Sequence, residues 1–143
     1  MRPFFRSLIV AAAFVFMAGT LRAQNTAADQ QKAEQEFYES ISTMVDRYAE
    51  QLDLDDAQIF YTDSILTHDY KAMQEELQAL QSKKVANSNL YYDVQDKWQE
   101  QIYNSLHKIL NDEQWVKYQK SGAERAKKTR DKRKAKAEAQ AQK

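Results

Sequence analysis

The chain has 143 residues, no cysteine, two glycines and one proline, and its 21 basic side chains are matched by 21 acidic ones. Without cysteine there is no disulfide, no thiol nucleophile and no thiolate metal ligand. Pro3 and Gly19 stand near the start, so Gly122 is the one later residue of either kind, which argues against turn-rich β architectures and for an all-α fold.

Arg2 and Arg6 precede an apolar run from Ser7 to Met17, and Ala18-Gly19-Thr20-Leu21-Arg22-Ala23 gives a small-residue exit. That order predicts a secretory signal over residues 1–23, cleaved after Ala23. No Cys follows the run, so no lipoprotein anchor is expected. The roughly 120 residues that remain suit one domain.

Asn25 to Gln31 is polar and without periodicity. A first helix is predicted from about Gln31 to Leu52, because Ala33, Phe37, Ile41, Met44, Tyr48 and Leu52 recur in steps of three and four and share one face. It ends at Leu54-Asp55-Asp56-Ala57-Gln58. Asp55 suits a helix N-cap, and Gln58 three residues later completes a capping box. Leu54 and Ile59 stand where a hydrophobic staple needs its two halves.

The second helix is predicted to run to about Lys84. Ile59, Leu66, Met73 and Leu80 repeat every seven residues, with Tyr70 and Leu77 between them and Asp63 as the one break in a coiled-coil-like seam. Some twenty-nine residues at ~1.5 Å each make an element of roughly 43 Å, which suits an elongated hairpin. Val85 to Asn89 holds the turn signal Ala-Asn-Ser-Asn. A third helix is expected from about Leu90 to Leu110, antiparallel to the second. Its stripe is Tyr91, Val94, Trp98, Ile102, Leu106 and Ile109, widened by Tyr92 and Tyr103. This seam and stripe ask for more cover than one hairpin gives, so a homodimer is expected.

Leu110-Asn111-Asp112-Glu113-Gln114 repeats the first corner, with Asn111 as cap, Gln114 closing the box, and Leu110 and Trp115 as staple. A fourth helix follows through Val116 and Tyr118. Residues 24–122 form the expected helical domain. Residues 123–143 form a basic low-complexity arm, helical or disordered, with no apolar face by which packing could hold it. Charge divides along the same line. Gln24 to Val116 carries seven Lys/Arg and eighteen Asp/Glu, whereas Lys117 to Lys143 carries eleven and three. An arm of that kind suits anionic envelope polymers.

No phosphate-binding glycine loop, nucleophile elbow or cofactor motif is present, so no catalytic residue and no cofactor is expected. His68 and His107 are the two histidines, placed at similar height on neighbouring helices if the hairpin turns at Asn87–Ser88. Neither has a second His at helical spacing, and exposure is the simpler reading. Phe60, Tyr61, Tyr91, Tyr92, Trp98, Tyr103, Trp115 and Tyr118 cluster around the middle and the second corner. Most suit a core or an interface, and the rest a client-contacting surface.

The two capped corners resemble the paired LTxxQ signatures of the Spy/CpxP family, small all-helical periplasmic proteins of Gram-negative bacteria. The likeness covers roughly positions 35 to 120, with Asp55 and Asn111 where the family has Thr. It implies a periplasmic, ATP-independent chaperone or envelope-stress adaptor that holds unfolded or misfolded envelope proteins on a cradle. A metal-binding or metal-sensing helical protein and an envelope-binding structural protein acting through the arm are the alternatives. Nucleic acid is not an expected partner of an exported chain.

Overall fold

A computed structural model describes residues 27–141, and among these every regular element is a helix. They are α1 (Ala27–Leu52), α2 (Asp56–Ser82), α3 (Ser88–Ile109), α4 (Asp112–Tyr118) and α5 (Glu124–Ala141). The expected signal segment, 1–23, lies outside the described residues. No described helix is long and apolar enough to cross a membrane.

Helix α1 begins at Ala27, before the expected Gln31, with Asp29 in its first turn, where the helix dipole favours a carboxylate. It stops at a left-handed residue. Asp53 has φ 52°, and the Leu54 amide donates back to the Ala49 carbonyl at 3.1 Å, a Schellman closure. The same device ends α2, where Lys84 has φ 52° and the Val85 amide reaches the Leu80 carbonyl at 3.1 Å. Thus α2 ends two residues before the expected Lys84. Asn87 accepts from the Asn89 amide at 3.0 Å and starts α3 at Ser88, ahead of the expected Leu90.

Helices α1, α2 and α3 run alternately up and down, so the corner at 53–55 and the corner at 110–111 meet at one end of the molecule. The turn at 83–87 marks the other end. The core lies toward the corner end. Ile41, Val45 and Leu52 of α1, Leu66 of α2, Ile102, Tyr103 and Leu106 of α3, Leu110, and Tyr118 of α4 form one buried cluster. Ile41, Leu66 and Leu106 are almost wholly enclosed, each contributing about 1.5–3 kcal/mol by burial.

The seam of α2 differs from the heptad expectation. Its buried residues are Thr62, Leu66, Asp69, Met73 and Leu77, while Asp63 faces solvent and breaks nothing. Asp69 can sit there because Gln101 Nε2 donates to it at 2.9 Å and His68 Nδ1 lies 2.8 Å away. Ile59, Tyr70 and Leu80 are half-buried. Helices α1 and α3 of the same chain both pack against α2 and cover part of this seam.

After α4 the backbone makes a π-turn over Gln119–Ala123, in which the Glu124 amide bonds to the Gln119 carbonyl. Gly122, at φ 115°, lies inside it. A residue with a Cβ is strained at that φ, so glycine is what lets the chain change direction there. The kink turns α5 back alongside α3, antiparallel to it.

Candidate functional site

The two five-residue corners form one unit. Asp55 accepts from the Gln58 amide at 2.8 Å, and Gln58 Oε1 accepts from the Asp55 amide at 3.1 Å. Asn111 and Gln114 repeat this at 2.9 and 3.0 Å. Both capping boxes read from the sequence are therefore present.

The glutamines then do more than cap. Gln58 Nε2 donates to Gln114 Oε1 at 2.7 Å, and Gln114 Nε2 donates to Gln58 Oε1 at 2.9 Å. Each amide nitrogen also donates into the opposite corner, Gln58 to the Ile109 carbonyl at 2.9 Å and Gln114 to the Asp53 carbonyl at 3.1 Å. Every donor and acceptor of both side-chain amides is used, which is what allows Gln114 to be 6% exposed. The bond partners map onto one another with a single offset, 53 to 109, 55 to 111 and 58 to 114, so the pair has local two-fold character. Lys117 Nζ adds an ion pair to Asp53 at 2.8 Å. Leu54, Ile59 and Trp115 pack against the core cluster that contains Leu110, so both staple pairs belong to it.

The eight aromatic candidates divide into three groups. Tyr103 and Tyr118 are buried in the core and cannot touch a client in this state, which corrects the expectation for those two. Trp115 packs against both, 4.8 Å from the Tyr103 ring centroid and 5.4 Å from that of Tyr118, and the two tyrosine centroids are 6.0 Å apart. Tyr48 meets Tyr118 edge-on at 5.7 Å. Burial raises the Tyr48 phenol to about 12 and drives Tyr118 upward too. Tyr91 is half-buried and donates to the Val85 carbonyl at 3.0 Å, closing the distal turn. Trp98, also half-buried, lies under the Lys97 ammonium at 4.6 Å. The exposed group is Phe60, Tyr61 and Tyr92. Phe60 is 66% and Tyr61 54% exposed, their rings 5.6 Å apart and edge-to-face on the first turns of α2.

The largest departure from the sequence reading is α5. Its lack of an apolar face was expected to leave it unheld, but charge holds it. Arg130 Nη2 and Nε donate to Glu100 Oε2 at 3.1 and 3.3 Å, and Lys127 Nζ bonds Glu100 Oε1 at 3.0 Å. Arg133 grips Asp96 through one edge of its guanidinium, bidentate, Nε to Oδ2 at 2.7 Å and Nη2 to Oδ1. The same cations lie over rings of α3: Lys127 and Arg130 sit 5.7 and 5.8 Å from the Tyr103 centroid, and Arg133 sits 5.8 Å from that of Tyr92. Arg130 is only 9% exposed. Partial burial pushes the Glu100 carboxyl up, but the bonds from Lys127 and Arg130 outweigh it and hold the group below its ordinary value. The detectable signal was the spacing of Lys127, Arg130 and Arg133 in steps of three against Asp96 and Glu100 on α3.

The histidines are separated in their roles. His107 stacks on Trp115 at 4.0 Å, whereas His68 is held by Asp69 and lies 6.3 Å from Trp98. Among the described residues no group of three or more His, Cys, Asp or Glu is placed to hold a metal ion. Comparisons with protein-family models, with curated proteins and with solved structures returned no match.

Proposed function

We propose that this chain is an exported, ATP-independent chaperone or stress adaptor that holds unfolded or misfolded envelope proteins. The observation that carries the reading is the exposed ring pair Phe60–Tyr61, on the outer face of α2 and beside a corner tied by side-chain amides. Two large exposed rings, with the exposed carboxylates Asp56 and Asp63 close by in the sequence, offer the mixed apolar and charged contact that a non-specific holdase uses. Tyr38, Leu90, Tyr92 and Val116 add further exposed apolar area elsewhere on the molecule. Holding requires no bond chemistry, and nothing in the site requires a cofactor. The periplasm is the compartment that the leader over 1–23 points to, and a homodimer is the proposed working assembly.

The test is suppression of light scattering when a denatured globular protein of unrelated sequence is diluted into buffer with the purified protein. Suppression near stoichiometric ratio is expected. Phe60→Ser with Tyr61→Ser should weaken suppression while leaving stability within about 0.5 kcal/mol, as exposed substitutions do. Unchanged aggregation in the presence of the native protein would rule the reading out.

A further inference from the structure

The described part of α5 carries eight Lys or Arg between residues 125 and 136, a length of roughly 17 Å as helix. Three of them, Lys127, Arg130 and Arg133, hold α5 to α3. Lys128 pairs with Glu124 on the same helix. Arg125, Lys132, Lys134 and Lys136 are exposed and make no ion pair with another described residue. The docking is thus made of charge on aromatic rings and carboxylates, with Ala123 as the one apolar contribution of the segment to the core. Just before it the chain passes through Gly122 at φ 115°, and nothing lies within 4 Å of where a Cβ would stand there.

We propose that α5 is a polyanion-binding latch: a flexible polyanion engages its cations, takes Lys127, Arg130 and Arg133 from α3, and swings α5 away about Gly122. The differential affinity that such a switch needs is present. A docked α5 offers a polyanion its outward cations only, and sets it beside Asp93, Asp96 and Glu100 of α3. A released α5 offers all eight cations, away from those carboxylates. Three more charge contacts should make the logarithmic salt dependence of binding steeper by about 2 for a flexible single-chain polyanion. Release also uncovers the rims of Tyr92 and Tyr103 and two acidic groups, so the free α3 face becomes a surface of opposite character to the arm. The inference does not depend on client holding, because either activity can fail alone.

The experiment uses the absence of cysteine, which allows two spin labels to be placed by Asn104→Cys on α3 and Ala137→Cys on α5, both exposed positions. Long-chain inorganic polyphosphate is the probe, with sodium chloride at matched ionic strength as control, and binding is read separately by fluorescence anisotropy of labelled probe. Without probe a single short interspin distance is expected. Saturating probe should replace it with a long, broad distribution that the matched salt does not produce. Asp96→Asn with Glu100→Gln should open the arm unaided and tighten polyphosphate binding several-fold. Asp46→Asn with Glu75→Gln, equal in charge, exposed on α1 and α2 and outside the latch, should do neither. Polyphosphate that binds while the short distance persists would overturn the latch. So would equal tightening by the two double variants, or no binding at all.

Discussion

Replacing one glutamine of the amide pair should cost far more than replacing its neighbouring cap. In Gln114→Ala four side-chain hydrogen bonds vanish: two with Gln58, one from the Asn111 amide and one to the Asp53 carbonyl. Asp53 and Asn111 are exposed, so their freed backbone groups take water at little cost. Gln58 is half-buried and loses both amide partners, and a buried side chain leaves a void beside it. At about 1 kcal/mol net for each of the two bonds to Gln58 and about 1–3 for the polar group left unmet, the loss is about 3–5 kcal/mol. Gln58→Ala should cost a similar amount, because it strands the more deeply buried Gln114. The double variant removes the stranded group along with its partner, so it should cost less than the sum, with a coupling of about 1–3 kcal/mol. Urea unfolding followed by helical circular dichroism gives all three values. A coupling below about 0.5 kcal/mol, the ordinary scatter of additive sites, would refute the amide lock.

Asp55→Ala and Asn111→Ala should each lower stability by about 0.5–2 kcal/mol, while Gln78→Ala and Gln81→Ala, exposed on α2 and capping no helix start, should be near neutral. Thermal midpoints that failed to separate the two groups would count against the capping boxes. Gly122→Ala meets no steric obstacle but must hold a φ of 115°, so about 1–3 kcal/mol of backbone strain should appear as partial release of α5, read by the label distance described above. Acid should release α5 as well. The Glu100 carboxyl is depressed in the folded state, so its contribution is present above the ordinary value of 4.5 and is lost as pH falls through the lower folded value. At the alkaline end the sign reverses for Tyr48, raised from 10.0 to about 12: its contribution is complete below pH 10 and disappears as pH rises toward 12, which a pH series of melting curves will show or deny.

The helical class and both corners were legible because their signals are local. A cap and its glutamine are three residues apart, and an apolar stripe repeats within one helix. What the sequence did not disclose is what Gln58 and Gln114 do for each other, since nothing local distinguishes an amide that only caps from one that also crosses to a second helix. Thr62 and Asp69 are not legible as seam residues of α2 because polar residues count against a seam, although Gln101 of α3 and His68 together admit the carboxylate. The sequence leaves open which of the eight rings are core and which are exposed, because ring chemistry does not say which way a helix face turns; Tyr103 and Tyr118 prove to be core. The arm misled for a related reason. Apolar periodicity shows no packing face there, whereas Lys127, Arg130 and Arg133 carry their periodicity in charge.

The lock also has a consequence in time. Each cap closes a contact over three residues, whereas the amide pair closes one over fifty-six. Loop-closure entropy therefore lets the caps form early and leaves the pair until the helices are already side by side. A contact made that late is absent from the folding transition state, and its free energy falls on the unfolding limb. Loosening the pair should leave the refolding rate nearly unchanged and shorten the lifetime of the native state. For a protein expected to work outside the cell's ATP supply, the glutamines would then act as a slow-release clasp, governing how long a folded copy lasts more than how fast it forms.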